Sequence, residues 1–392
     1  MKTVSSDSGI LPPSGFGRFN RGTFFRVLCT LVLATAVGFA GAVKPGGQRE
    51  VKTYIANLYV GSDLMGALTV NPTNLPAVIE TVTGIYLKIV KSDPATRMAG
   101  IASRIAAEQP DLVGLVEVFS LYKAPLTGQG PGEFETVADF LASLQQALAA
   151  QGAYYRVASV STEADITMPM MDLATGGLAL ARLVDHDVIL VKEGLPPGFL
   201  KTSNPQSGHF EYIIRLPDAG IEVTRGWCSV DVFSRGENFR FICSHLETEA
   251  VPQLQYAQAM ELLAGPANTR LPVILVGDFN TDPLGRDGTF TYPLFGQAGF
   301  QDSWLQLNPD DPEGGLTWGH DELLADLTDA FETRIDLILY RGGNFVPASA
   351  VVIDAALDRS SPPLWGSDHA ALSVNFSVSV PQSRRAEKAM AE

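Results

Sequence analysis

Basic residues are scarce. Lys and Arg number 28 against 43 Asp and Glu, a formal net charge of -15. A surface this acidic argues against a general binder of DNA or RNA, which needs cations to neutralise phosphates, although it leaves room for a local basic groove. Cysteine is scarcer still, three in 392 residues, and histidine numbers five, so a thiolate-based zinc cluster has few ligands to draw on. Beyond Val43 no apolar run is long enough to span a bilayer. Nor is there a disordered linker, low-complexity block or solenoid repeat between Val51 and Val380. With 46% hydrophobic residues the chain has the content of a globular core former, and one domain over residues 43–381 fits best.

The N-terminus stands apart. Arg18, Arg21 and Arg26 precede "VLCTLVLATAVGFAGAV", Val27 to Val43, which ends in the small-x-small triplet Ala40-Gly41-Ala42. Residues 1–42 read as an export signal, which makes the protein secreted or periplasmic. The competing reading is an uncleaved membrane anchor, since the run is just long enough to cross. A polar tail, residues 382–392, closes the chain. Cys29 falls in the leader, and Cys228 and Cys243 sit in two adjacent strand-like runs, "GWCSVDVF" and "FRFICSHLE", joined by "SRGEN". A turn centred on Arg235-Gly236 sets the two cysteines opposite each other. Directly opposed strand cysteines make strained bridges, so buried free thiols are favoured over a disulfide.

Strands are expected at "EVKTYIANLYVG", "DLVGLVEVF", "HDVILVKEG", the cysteine hairpin, Pro272–Val276, "RIDLILYRG", Phe345–Ile353 and "SDHAALSVNFSV". Helices are expected at "LPAVIETVTGIYLKIV", "PATRMAGIASRIAAEQ", "FETVADFLASLQQALAAQG" and "VPQLQYAQAMELLAG". In the second of these, Met98, Ile101, Ala102 and Ile105 share the apolar face, and Arg97, Arg104 and Glu108 take the other. Helices interleaved with strands, some in tight hairpins, predict an α/β fold with mixed sheets and helices outside.

"LPVILVGDFNTDP", Leu271 to Pro283, poses the functional question. An aliphatic strand gives way after Gly277 to Asp278 and Asn280, which share one side of an extended chain while Phe279 points into the core. All four polar and turn residues there also suit a plain turn. The habit recurs, however: Asn57 in "YIANLYVG", Glu117 in "LVGLVEV", His245 in "FRFICSHLE", Asp336 in "RIDLILY", and Asp368-His369 before "AALSVNF". Each alone has an ordinary explanation, such as Asp336 pairing with Arg334 at the surface. Six strand ends with polar tips point to a site. Carboxylate and amide oxygens, with His outside a zinc spacing, suit Mg2+, or Mn2+ or Ca2+ in its place, better than zinc.

In this order, "VGDFN", "RIDLIL" and "GSDHAAL" resemble the endonuclease/exonuclease/phosphatase superfamily, also called DNase I-like, over roughly Val51 to Phe376. The resemblance implies a four-layered α/β sandwich of two packed mixed β-sheets flanked by helices. It implies metal binding by Glu117, Asn57 and Asp368. Asp278 would activate the attacking water, Asn280 would bind phosphoryl oxygens, Asp336 would orient His369 against the phosphate, and His245 would be an acid for the leaving oxygen. Two departures stand out: Ile55 and Ala56 interrupt the motif of the first strand, so Asp63 competes with Asn57, and Val116 replaces the Gln that the family carries before its glutamate.

The expected activity is hydrolysis of a phosphoester, a diester because His245 is present, sphingomyelinase-like or on another lipid or small phosphodiester. An extracellular nuclease is the alternative, disfavoured by charge, and a silent binding protein on the same scaffold is a third reading that the intact motif set opposes. The protein is expected to be a monomer. "TMPMMDLATGGLAL" is read as core filling ahead of a substrate lip or membrane-touching loop. His186 and Asp187 are expected to begin a core strand, and Trp318 to pack beneath the site; His209 and His320 carry no assignment.

Overall fold

The computed structural model describes residues 49–218, 220–234, 236–325, 331–354, 356–357 and 364–378. The leader or anchor and the polar tail lie outside these residues. No helix among the described residues is long and apolar enough to cross a membrane.

Two mixed sheets form the centre. The larger runs in the order Phe345–Ile353, Ala371–Val378, Arg49–Asn57, Leu112–Val116, Gly177–Lys192, Ser120–Thr127 and Gly130–Pro131, with Tyr155–Asp172 and Glu135–Asp139 as side pairings. The smaller runs Gln301–Asp302, Asp336–Arg341, Val273–Asp278, Glu237–His245, Gly226–Ser234 and Leu200–His209. The inner faces meet in one core, where Val51, Ile55, Leu112 and Val116 pack against Val230, Phe241, Val276 and Ile338. Outside the larger sheet, Met98, Ile101, Ala102 and Ile105 of helix Pro94–Glu108 share a core with Phe140 and Leu144 of helix Phe140–Ala150. Outside the smaller sheet, Ala259 and Leu262 of helix Pro252–Ala264 cover Leu275 and Phe279. The expected four layers are therefore present. Helix ends follow local chemistry: Asp93 accepts from the Thr96 amide and Asp139 from the Ala142 amide, each capping its helix.

The sheets approach closely at Gly114, where a Cβ would lie 2.5 Å from Val276 Cγ2 and 3.0 Å from Cys243 Sγ. Cys228 and Cys243 are in register across their hairpin, buried and free.

Several expectations shift. Helix Phe140–Ala150 starts six residues later than the pattern beginning at Phe134, because Glu135–Asp139 pairs as a strand with Ser120–Thr127. The segment from Ser161 to Ala181 belongs to a long hairpin, Tyr155–Asp172 against Gly177–Lys192, with a register shift at Glu163. His186 and Asp187 thus sit inside a strand and do not begin one. Gly277 also lies within its strand, which continues to Asp278. Arg97 is fully buried and leaves the solvent-facing side that helical spacing assigned to it.

Candidate active site

Three neighbouring strands of the smaller sheet bring polar residues to one level. His245 is in register with Asp278 and Asp278 with Asp336, so the three stand in a row. The larger sheet supplies Asn57, the last residue of its strand, and Glu117, the residue after Leu112–Val116. The Asn57 amide nitrogen donates to Glu117 Oε1 and to Asp278 Oδ2, each at 3.0 Å, and so ties the two sheets together. Its oxygen accepts from the Tyr59 amide at 2.9 Å. The structure therefore turns Asn57 as a clamp on two carboxylates, where the resemblance had implied a metal ligand. Asp63 does not take its place: it accepts from the Met65 amide at 2.8 Å and stays exposed.

The turn reading of Asp278 and Asn280 and the site reading coincide. Asp278 Oδ1 accepts from the Asn280 amide at 3.0 Å, a local turn, while Oδ2 faces the cluster. Asn280 has φ +48 and Glu117 φ +55. The left-handed region is cheap for Asn and costly for Glu, and such strain gathers at functional sites. Gly277 is required beneath them, since a Cβ would lie 1.9 Å from the Ser244 carbonyl oxygen. Phe279 points into the core against Phe295, as its alternation predicts.

The two histidines are held in opposite states. His369 Nδ1 lies 2.8 Å from Asp336 Oδ2, and its Nε2 is 3.8 Å from both Asp278 Oδ2 and Asp368 Oδ1. Burial opposes its protonation, but Asp336 and Asp368 overcome this and raise its pKa well above the imidazole range. His245 Nδ1 lies 2.8 Å from Arg225 Nη1. A guanidinium only donates, so Nδ1 accepts and the ring proton sits on Nε2. Burial and then Arg225 hold the His245 pKa well below its usual value. This corrects the role as acid: a neutral imidazole offers an N–H donor, and no imidazolium.

Burial and Asp336 push Asp278 up to about 6, and burial, with Glu117 adding to it, pushes Asp368 up to about 6. Asp278, Asp336 and His369 can bring ligand atoms within 4.8 Å of one another. Asp336 Oδ1 is buried without a hydrogen-bond partner. With His369 charged and held by Asp336, the carboxylates left for a hard divalent cation are Glu117 and Asp368, whose mutual repulsion such an ion would relieve.

Several members escaped the sequence reading. Arg225, with Glu247 at 3.4 Å and Asp185 at 3.8 Å, underlies His245. Arg97 donates to the carbonyls of Leu58, Tyr59 and Gly366, fixing the loops that carry Asn57 and Asp368. Arg225 stands one residue before the strand Gly226–Ser234, at its start, and Arg97 lies within a helix, so neither follows an apolar strand as the other polar tips do. Arg334 pairs with Asp302 at 2.7 Å, leaving Asp336 to His369. Trp318 does not pack beneath the site; partly exposed, it bridges through its backbone to Thr333 and His369 and lines the cavity above them.

The cluster forms one end of a cavity of about 720 Å³ whose lining includes Glu117, His245, Asp278, Asn280, Asp368 and His369. The model of the endonuclease/exonuclease/phosphatase family matches residues 85–369. The chain belongs to that family. A family member from Bacteroides thetaiotaomicron aligns at 17% identity with TM-score 0.51, over 85% of this chain and 100% of that one. Another from Beutenbergia cavernae aligns at 19% identity with TM-score 0.50, over 84% and 72%. At these identities the likeness shows the fold. Comparison with curated proteins gave no match. As a family member, the protein is a phosphoester hydrolase of a kind generally dependent on divalent metal.

Proposed function

We propose that the protein is an exported, Mg2+-dependent phosphodiester hydrolase, monomeric, acting on a lipid or small phosphodiester in the manner of a sphingomyelinase. The carrying observation is the Asn57 clamp, which ties Glu117 to Asp278 at the centre of the row His245–Asp278–Asp336, with His369 Nε2 3.8 Å from Asp278. Glu117 and Asp368, with Asp278 at the edge, would hold the cation; when bound it supplies charge neutralisation at the phosphoryl oxygens.

The chain's own residues do the rest. Asp278 Oδ2 faces the open cluster and takes the proton of the attacking water as the new P–O bond forms and the ester P–O bond breaks, the leaving oxygen accepting from the His245 Nε2–H and drawing its proton from solvent. Asp278 is itself fixed by the Asn57 and Asn280 bonds. His369, kept charged by Asp336, offsets the negative charge gathering on the phosphoryl group. His245 and Asn280 add neutral N–H donors. A second donor histidine favours a diester, whose extra ester oxygen needs a partner. The cavity lining holds nine acidic side chains and, among the described residues, a single Lys or Arg, the buried Arg225. That balance supports a substrate of low negative charge over a polyanion.

The test is a panel of bis-p-nitrophenyl phosphate, p-nitrophenyl phosphate, sphingomyelin and plasmid DNA, each with Mg2+ or EDTA at several salt concentrations. Diester turnover that EDTA abolishes and salt barely alters is expected. A preference for the monoester, or fast and steeply salt-sensitive cleavage of DNA, would overturn the reading.

A further inference from the structure

The cavity is far larger than a phosphate needs. At about 720 Å³ it falls within the ~300–1,000 Å³ of sites that engulf a whole small molecule. Its far wall has no part in the chemistry above. Leu68, on the short helix Met65–Thr69, and Val82 and Ile85, on helix Leu75–Lys91, form one side. Ile166 and Met168, from the inner stretch of the long hairpin, form the other. Phe119 joins this wall to the polar end only two residues from Glu117. The hairpin and helix pack on each other through Val78, Val82, Met170, Ala179 and Ala181, of which Val82 and Ala181 also line the cavity, so the wall is a packed surface. Side chains of Leu, Val, Ile and Met present no donor and at most the weak thioether acceptor, so a group lodged there must be apolar to gain from leaving water.

We infer that this wall is a binding site for an alkyl or acyl chain of the substrate, running from the phosphoester at Glu117 and Asp278 into the space between the helices and the hairpin. The inference rests on the phosphodiesterase reading for the ester and on the cavity alone for the chain. Continuity with the catalytic cluster decides the occupant. A chain attached to a phosphate held at the cluster meets this wall within the same cavity, and the acidic lining repels a polyanion that would otherwise compete.

The experiment is a homologous series of p-nitrophenyl alkyl phosphates, methyl to dodecyl, kept below their micelle concentrations. Each buried methylene should raise kcat/KM about three- to fourfold until the cavity is filled, so octyl should exceed methyl by at least about a hundredfold. Leu68→Asp, on a short half-exposed helix, and Ala181→Phe, beside Met168 in the hairpin register, should each cut the octyl-to-methyl ratio by about tenfold or more. A flat chain-length profile in an enzyme that hydrolyses the methyl ester would overturn the inference, as would ratios unmoved by both variants. Binding of octanol, an alkyl chain without a phosphate, followed by calorimetry, separates the two readings. Saturable binding that weakens in Leu68→Asp, without turnover of any ester, keeps the chain site and sinks the hydrolase; no binding sinks the chain site.

Discussion

The two ends of the cavity are built by opposite rules. At the polar end the side chains come from the ends of core strands or the turns beside them, are buried or half-buried, and are held by named partners, as Asn57 holds Glu117 and Asp278. At the apolar end the wall comes from helices and a long hairpin, and it is held mainly by packing, with one hydrogen bond behind it from the Met171 amide to Thr83 Oγ1. The difference teaches where tolerance lies. A strand-end carboxylate has one position fixed by register, so its loss cannot be made good, whereas an aliphatic wall can adjust to a new side chain.

The largest effects should therefore fall at the polar end. His369→Ala and Asp278→Asn should each lower kcat by about a hundredfold or more on activated and ordinary esters alike, typical of losing a transition-state contact or base. Glu117→Gln should cost about tenfold or more, with partial recovery at raised Mg2+, because one charge has left an oxygen-ligand site. Steady-state kinetics across a Mg2+ titration checks all three; unchanged metal dependence in Glu117→Gln would break the ligand assignment.

A middling effect tests the corrected histidine. If His245 is a neutral Nε2–H donor fixed by Arg225, then His245→Gln, which keeps an N–H in reach, should retain activity within about threefold, while His245→Ala should lose about tenfold. Equal losses in both would restore the proton-transfer role that the sequence implied.

The smallest effect concerns stability. Burial first, with Glu117 and Glu163 adding to it against Arg225, pushes Asp185 up to about 8. The folded form then holds a proton that the unfolded chain releases near the ordinary carboxylate value. Stability from this group is full below that value and is lost as pH rises toward about 8. Thermal unfolding in EDTA should show wild type gaining on Asp185→Asn as pH falls from 8.5 to 5.5. A pH-independent difference between the two would refute it.

How much was legible follows the same division. Asn57, Glu117, His245, Asp278, Asp336 and His369 were readable because an apolar strand that ends in a polar residue leaves a mark in the sequence, and the structure brings all six together. The apolar end left no such mark. Elsewhere, the strand Leu200–His209 at the edge of the smaller sheet reads "LKTSNPQSGH", exposed and with no apolar alternation. The hairpin's alternation is broken by the extra residue at Glu163. Arg97 obeyed helical spacing, yet three backbone carbonyls from distant loops made burial tolerable, and such partners are invisible until the chain has folded.

Arg97 also has a consequence for the order of assembly. It binds the Leu58 and Tyr59 carbonyls on one side and that of Gly366 on the other, and the strand Arg49–Asn57 lies between Leu112–Val116 and Ala371–Val378. The first strand can pair early with Leu112–Val116, but its other edge must wait for a partner more than three hundred residues away. Contacts so remote in sequence form late and slowly. His369 lies two residues before that closing strand, so the group that completes Asn57 and Glu117 depends on the sheet's most remote pairing. During refolding, hydrolytic activity should appear in one late phase, well after most secondary structure has returned.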